Sequence, residues 1–109
     1  MERKLETIIV RKQEGIATII MNRPPHNGMN EKMFDEMVPV FQDLADDNDI
    51  KVVVLTGAGR YFSAGGDLSS GEGREKALDS RNAEEARRAL LWTHRAVRQI
   101  HSMEKPWIA

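Results

Sequence analysis

A set of glycines that follows an apolar segment is the part of this sequence best suited to chemistry. Residues 52–56 are apolar and largely β-branched, which predicts a buried strand, and glycines follow at positions 57, 59, 65 and 66. Glycine lets a chain turn tightly and lets a ligand approach the backbone. Asp67 is suited to cap a helix. Residues 65–68 are therefore expected to present backbone N–H groups at a helix start, as half of an oxyanion hole does.

The same residues allow other interpretations. An ordinary strand-to-helix connection would also contain glycines and a capping Asp67, and the cap is the commoner role for this carboxylate than that of a general base. A nucleotide-binding module of unrelated fold is a further alternative. However, no Gly-Lys-Ser/Thr follows at P-loop spacing, and residues 57–62 end on Phe62 where the dinucleotide-binding pattern needs a small residue.

Two histidines are further candidates for chemistry. His26 lies in a predicted loop over residues 23–28, where a double proline and an Asn-Gly pair exclude regular structure. His94 lies on a predicted long helix, beside its apolar stripe. Histidine is the usual general base where geometry allows. The alternatives are an exposed loop histidine without a role for His26, and a partly buried, hydrogen-bonded histidine for His94.

The elements that must position these residues alternate between strands and helices. Residues 5–11 and 16–22 are β-rich and joined by a glycine-containing connector, which predicts a hairpin. Asn30 is expected to cap a helix that Pro39 kinks or locally distorts, and that ends at residues 46–49. Its apolar face is Met33, Met37, Val40, Phe41 and Leu44.

A second helix is predicted over residues 82–103, followed by the start of a strand at residues 105–109. Asn82 and Glu85 are placed for a capping box. The expected buried stripe of this helix is Ala86, Leu90, Thr93, Val97 and Ile100. The resulting order of elements predicts a mixed α/β layer structure.

Composition excludes several classes of protein. The 109 residues have a net charge of −1 with mixed signs, so bulk electrostatics gives no indication of nucleic-acid binding. There is no cysteine, and hence no disulfide or thiol chemistry. No apolar run approaches the length of a membrane span, and the charged N-terminal residues do not look like a secretory signal. A soluble, cytoplasmic protein is expected.

Three ordered segments resemble one known family. Residues 52–68, VVVLTGAGRYFSAGGDL, are similar to the pattern L-T-G-x-G-x-x-F-[SA]-A-G-x-D-[LI] of the enoyl-CoA hydratase/isomerase (crotonase) superfamily. Residues 21–30, MNRPPHNGMN, and 105–109, KPWIA, match two more of its segments. The resemblance implies the crotonase-like (ClpP/crotonase) α/β spiral fold of ββα units. Residues 1–109 would be the N-terminal portion of a single such domain, cut at the start of a strand.

The resemblance also implies roles for particular residues. The Gly66 backbone N–H would bind the thioester carbonyl of an acyl-CoA and stabilise enolate-like charge. The implied CoA-binding residues are Ala64, Gly66, Asp67, Leu68, Ser69 and, through the proline-containing loop, His26. Coenzyme A enters as part of the substrate, and no metal or redox cofactor is implied. Family members are commonly trimers or hexamers, so self-association is expected.

The implied activity is hydration of a 2-enoyl-CoA or isomerisation of its double bond. The family's acid–base residues and second oxyanion donor would lie beyond Ala109, so residues 1–109 alone are expected to be inactive. One alternative is a non-catalytic acyl-CoA-binding or scaffold relative. Another is a hydrolase or a dehalogenase like that for 4-chlorobenzoyl-CoA, in which a catalytic histidine precedes the K-x-P segment at the distance of His94; that branch has an aromatic residue at the position of Gly66.

Overall fold

The architecture is a mixed β-sheet with two helices, as seen in a computed structural model that describes residues 1–66 and 83–109. In chain order the elements of these residues are β1 (Glu2–Lys4), β2 (Ile8–Gln13), β3 (Ile16–Met21), α1 (Glu31–Asp46), β4 (Val52–Gly57), α2 (Ala83–Ser102) and β5 (Trp107–Ile108). The sheet has the order β1-β2-β3-β4-β5. The mixed α/β class and the strand start after Pro106 are therefore confirmed.

The first three strands are antiparallel, and β1 precedes the residues that the sequence pattern assigns to strands. β1 is an exposed edge strand, and the Leu5 N–H donates to the Ile8 carbonyl at 2.9 Å, which folds β1 back along β2. Residues 5–7, which the pattern assigns to a strand, therefore form a turn. The predicted hairpin between β2 and β3 is confirmed. Its two-residue turn has positive φ at Glu14 (51°) and Gly15 (81°), the combination that suits tight hairpins.

Helix α1 has the predicted cap and the predicted buried face. The Asn30 side chain accepts a hydrogen bond from the Met33 N–H at 2.9 Å. All five residues of the predicted face are buried and join one apolar cluster with strand residues such as Ile19 and Val53. Pro39 lies inside one continuous helix. Because Pro39 and the preceding turn at Asp35 are exposed, water can satisfy the carbonyl that the proline leaves without a donor.

The predicted buried stripe of helix α2 is confirmed in part. Ile100 packs against the core as expected, together with Met103. Leu90 and Val97 of the expected stripe are instead 59% and 57% exposed, and Ala96, outside it, is 2% exposed. Thr93 is half-buried. Asn82 lies outside the described residues, as do the side chains of Glu85 and Ala86, and the capping box stays a prediction.

Neither helix of the described residues combines the length and the apolar composition that crossing a membrane requires. The sheet instead positions two loops. β3 and β4 are parallel, with Met21 opposite Gly57, so their carboxyl ends lie at the same edge of the sheet. Residues 22–30 leave that edge after β3 and are called the proline loop. Residues 58–66 leave it after β4 and are called the glycine loop.

Candidate functional site

The proline loop and the glycine loop are joined along their length by backbone hydrogen bonds. The Ala64 N–H donates to the His26 carbonyl at 2.9 Å, and the Met29 N–H donates to the Gly65 carbonyl at 2.8 Å. Met29 and Gly66 form a parallel β-bridge. The two loops therefore behave as a short extension of the sheet, and Gly66 lies at its far end.

A hydroxyl adds two more hydrogen bonds just before Gly66. The Ser63 Oγ donates to the Asn27 carbonyl at 2.8 Å and accepts from the Gly65 N–H at 3.0 Å. Gly65 has φ of 95°, in the region that favours glycine, so a residue with a side chain would be strained there. The hydroxyl thus connects the loop turn to the neighbouring loop.

Asn27 is the polar side chain at the centre of the junction, and it is 0% exposed. Its Nδ2 donates to the carbonyls of Ala58 at 3.0 Å and Tyr61 at 2.8 Å. Its Oδ1 accepts from the Arg23 N–H at 3.0 Å. Sequence reasoning used Asn27 only as half of an Asn-Gly turn signal. The turn part was informative, since its φ is 52°, but the burial of its amide has no local signature.

Gly57 explains why the junction can be so close. A Cβ at this position would lie 2.3 Å from the carbonyl oxygens of both Tyr61 and Phe62, and 2.6 Å from the Asn27 Nδ2. These atoms are mostly backbone and cannot move aside cheaply. The glycine that ends β4 is therefore required by the return of the glycine loop over its own strand.

Gly66, the main predicted site residue, is exposed. A Cβ added to it would meet no atom of the described residues within 4 Å, and its φ is outside the left-handed region. Within residues 1–66 and 83–109, no group accepts a hydrogen bond from its N–H. The structure thus places this backbone edge at the surface of the described residues.

The other predicted CoA-binding residues divide into two groups. Asp67, Leu68 and Ser69 lie outside the described residues. Ala64 is exposed and its N–H is already bonded to His26, which leaves its carbonyl as the group it can offer. His26 is exposed, with its ring centroid 5.3 Å from that of Tyr61 at a tilt of 35°. His26 and Ala64 are therefore brought together with Gly66 by the paired loops.

His94 is not brought to this junction by any contact of the described residues. It is exposed, in contrast to the partly buried alternative from the sequence. The hollow beside it is lined by Leu91, His94, Arg95, Val97 and Arg98, all of them on α2. A catalytic role of His94 stays a prediction.

The electrostatics of this edge of the sheet centre on Glu36 of α1. Its carboxylate accepts from the N–H groups of Glu6 at 3.0 Å and Thr7 at 2.8 Å, and from the Thr7 hydroxyl. Burial raises the pKa of Glu36, but these bonds and the charge of Lys32 outweigh it, so its pKa is lowered below the ordinary 4.5. The Thr7 carbonyl in turn accepts from the Asn22 N–H at 2.7 Å, at the start of the proline loop.

The hydrogen bonds between the two loops are made by uncharged groups, namely backbone amides, one carboxamide and one hydroxyl, whereas the charged Arg23 guanidinium donates to the Gly28 carbonyl within the proline loop. In the described part of the chain no group of three or more His, Asp or Glu side chains could hold a metal ion. A fixed N–H group without an acceptor, as that of Gly66 is among the described residues, can stabilise a carbonyl oxygen that gains negative charge without itself changing protonation state.

Comparison with known proteins identifies the family. The family model described as enoyl-CoA hydratase/isomerase matches residues 11–109. The short-chain-enoyl-CoA hydratase of Clostridium acetobutylicum is 31% identical over 108 residues, which are 97% of this chain and 39% of that protein. The small ribosomal subunit protein mS47 of Schizosaccharomyces pombe is 29% identical over 105 residues, covering 95% of this chain and 24% of its own.

Solved structures agree with the sequence relatives. An enoyl-CoA hydratase/isomerase from Mycobacterium paratuberculosis superposes with a TM-score of 0.76 at 30% identity, covering 93% of this chain and 39% of that one. The chain thus spans less than half the length of the relatives it matches. Its fold is the N-terminal part of the crotonase fold, and the chain belongs to the enoyl-CoA hydratase/isomerase family of the crotonase superfamily.

Proposed function

We propose that the protein containing this chain processes an acyl-CoA, adding water to a 2-enoyl-CoA or shifting its double bond, with the Gly66 N–H as one oxyanion donor. The observation that carries the proposal is the exposed Gly66, whose N–H has no acceptor among the described residues, on a loop that hydrogen bonds hold in place. Relatives that share the fold and bear the name enoyl-CoA hydratase support the substrate class.

The proposed chemistry follows from the carbonyl oxygen of the thioester. A hydrogen bond from Gly66 stabilises negative charge on that oxygen, which makes the β-carbon electrophilic and the α-proton acidic. In hydration, the oxygen of water bonds to the β-carbon and a proton is added to the α-carbon. In isomerisation, a proton leaves one carbon and another is added two carbons away, with no net gain of atoms.

The remaining parts of the site are proposed from the family resemblance. Ala64, Leu68 and their neighbours Asp67 and Ser69 would hold the adenine of coenzyme A, with His26 near the pantetheine. Because the Ala64 N–H is bonded to His26, the contact from Ala64 would be made by its carbonyl. Assembly as a trimer or hexamer is part of the proposal, and sedimentation of the full-length protein tests it.

The test of Gly66 uses a matched pair of variants in the full-length natural protein. Gly66→Pro deletes the N–H, whereas Gly66→Ala keeps it and its Cβ meets no described atom. Turnover of a 2-enoyl-CoA should fall ~10²–10³-fold in Gly66→Pro and stay near wild type in Gly66→Ala. Product mass distinguishes the reactions, since only hydration adds one water. A folded Gly66→Pro protein with full turnover would remove Gly66 from the mechanism.

A second candidate function is a non-catalytic one. The observation that favours it is the similarity to a relative named as a ribosomal protein, at 29% identity over 95% of this chain. A protein of this kind would bind acyl-CoA without turnover, or take part in an assembly. Calorimetric titration with a non-hydrolysable acyl-CoA analogue, combined with the turnover assay, separates the two candidates.

A further inference from the structure

We propose that Asn27 is a positioning residue for the Gly66 N–H. It would act by holding the glycine loop against the proline loop. The inference rests on the proposed function, since it concerns the same oxyanion donor. Asn27 itself does not reach the surface, because it is 0% exposed, and so it acts through the backbone that it binds.

The hydrogen bonds of Asn27 explain why this side chain is suited to the task. Both protons of its Nδ2 are used, one on the Ala58 carbonyl and one on the Tyr61 carbonyl, which are three residues apart in the glycine loop. Its Oδ1 is used by the Arg23 N–H of the proline loop. A single planar carboxamide therefore fixes the entry of the glycine loop relative to the proline loop.

The position of Asn27 transmits this constraint to Gly66. The same residue offers its own carbonyl to the Ser63 hydroxyl, which accepts from the Gly65 N–H. Beyond it, Met29 bonds to Gly65 and forms the bridge with Gly66. The contacts thus form a continuous series from Asn27, through its backbone carbonyl, to the residue before the proposed donor. A displacement of about 1 Å at a catalytic group can reduce the rate ~10²-fold.

A cleft and an exposed apolar patch elsewhere in the molecule give no indication of a ligand or partner. The cleft of about 590 Å³ between the ends of α1 and α2, lined by residues such as Gln42, Gln99 and Ser102, contains the buried Gln99 Oε1, which has no hydrogen-bond partner among the described residues. Nothing there indicates what would occupy it. Leu90, Leu91 and Val97 are exposed on α2, and nothing among the described residues indicates what would cover them. By contrast, both polar atoms of the Asn27 carboxamide have hydrogen-bond partners. The loop residues around Asn27 are bonded in turn to Gly65, next to the proposed donor Gly66.

Two substitutions test the proposal with little change to the backbone. Asn27 has φ of 52°, which Asp and Gly both tolerate. Asn27→Asp keeps the size but replaces the donor by an acceptor that faces two carbonyls. Asn27→Gly removes the side chain. In the full-length protein we expect either to lower kcat for a 2-enoyl-CoA ~10²-fold, with a much smaller change in KM, because the donor acts mainly on charge formed in the transition state.

The control is a core substitution that lowers stability without touching the loops. Leu44 is buried near the end of α1 that lies away from the proline loop, and Leu44→Val reduces packing there. The comparison is made at a temperature where both variants remain fully folded. We expect Leu44→Val to keep wild-type kcat. Amide hydrogen exchange should quicken at Ala64 and Met29 in the Asn27 variants and stay unchanged in Leu44→Val.

The outcomes separate this inference from the proposed function. If the wild-type protein turns over no acyl-CoA, the proposed function fails and the positioning role fails with it. If wild type is active and the Asn27 variants match Leu44→Val in kcat and in amide exchange, only the positioning role is overturned. Faster exchange with unchanged kcat also overturns it, because the loops would then be held by Asn27 without effect on the donor.

Discussion

The segments at the two ends of the parallel strands β3 and β4 are held in place by different kinds of interaction. At the carboxyl ends of β3 and β4, the proline and glycine loops are bonded to each other by uncharged groups around Asn27. At the amino ends, lysines hold the end of α1. Lys105 donates its ammonium protons to the carbonyls of Leu44 and Asp47, and the Lys12 Nζ lies 2.9 Å from the Asp47 carboxylate.

This difference shows where a charged side chain stabilises the fold. The carbonyls at the end of a helix carry partial negative charge and lack donors, so an ammonium group there stabilises the fold. At the other end, the bonds between the two loops come from backbone amides, a carboxamide and a hydroxyl, which hold the loops together without a titrating group.

The largest effect that would sharpen this comparison is expected from Gly57→Ala. The new Cβ would overlap two backbone oxygens and the Asn27 amide, so we expect a loss of about 3 kcal/mol in the free energy of unfolding and a displaced glycine loop. Gly59→Ala is the control, because Gly59 has φ of 73° but no described atom near a Cβ. It should lose only about 1 kcal/mol through backbone strain. Urea denaturation of the full-length protein measures both, and equal losses would show that the close approach at Gly57 is not what matters.

A smaller effect is expected from removing the ammonium group at the opposite end. Lys105→Met keeps much of the side-chain length but leaves the Leu44 and Asp47 carbonyls without their donor, which should lower the free energy of unfolding by about 2 kcal/mol. Lys51→Met is the matched control, since the ammonium group of the exposed Lys51 donates to one carbonyl of the described residues, that of Asn48 at 3.0 Å. Turnover should be little changed in both variants. A loss of turnover in Lys105→Met beyond its effect on stability would contradict the separation of the two ends.

How far the sequence predicted these features depends on how local their causes are. The cap at Asn30 and the buried face of α1 follow from residues within one helix, and both were confirmed. The face of α2 was predicted only in part. Ile100 packs against the core as expected, but Ala96 is buried instead of Val97, because contact with α1 and the core makes that choice. Periodicity alone gives the helix but leaves its rotation to tertiary packing.

The candidate site shows the same limit. Gly66 was found through a local pattern of glycines and a family resemblance, and the structure places it at an exposed loop edge. The pairing of the two loops depends on the parallel register of β3 and β4, which brings Asn27 to residues more than 30 positions away. No local rule predicts such a contact, and so Asn27 was interpreted only as part of a turn.

The smallest effect, and the one that tests the charged end directly, is the acid dependence of stability. The Asp47 carboxylate accepts from the Lys12 Nζ at 2.9 Å and from the Asp49 N–H at 3.0 Å. Chiefly through the Lys12 bond, the pKa of Asp47 is lowered below its ordinary 3.8. The unfolded chain therefore binds more protons than the folded one near that pH. The contribution is complete well above pH 4 and is lost as the pH falls through the folded pKa.

Two variants assign this acid dependence to the two ends. Asp47→Asn removes the contribution that Asp47 makes to the acid dependence of stability at the lysine end. Glu36→Gln removes the contribution of Glu36, the carboxylate beside the proline loop, whose pKa is also lowered. Urea midpoints between pH 7 and pH 3 should fall less steeply in each variant than in wild type. Raising the salt to 1 M should weaken the Lys12–Asp47 part more, because that pair is partly open to solvent whereas most donors to Glu36 are uncharged. If 1 M salt weakened the contribution of Glu36 as much as that of Asp47, the two ends would not differ in the way that their hydrogen bonds indicate.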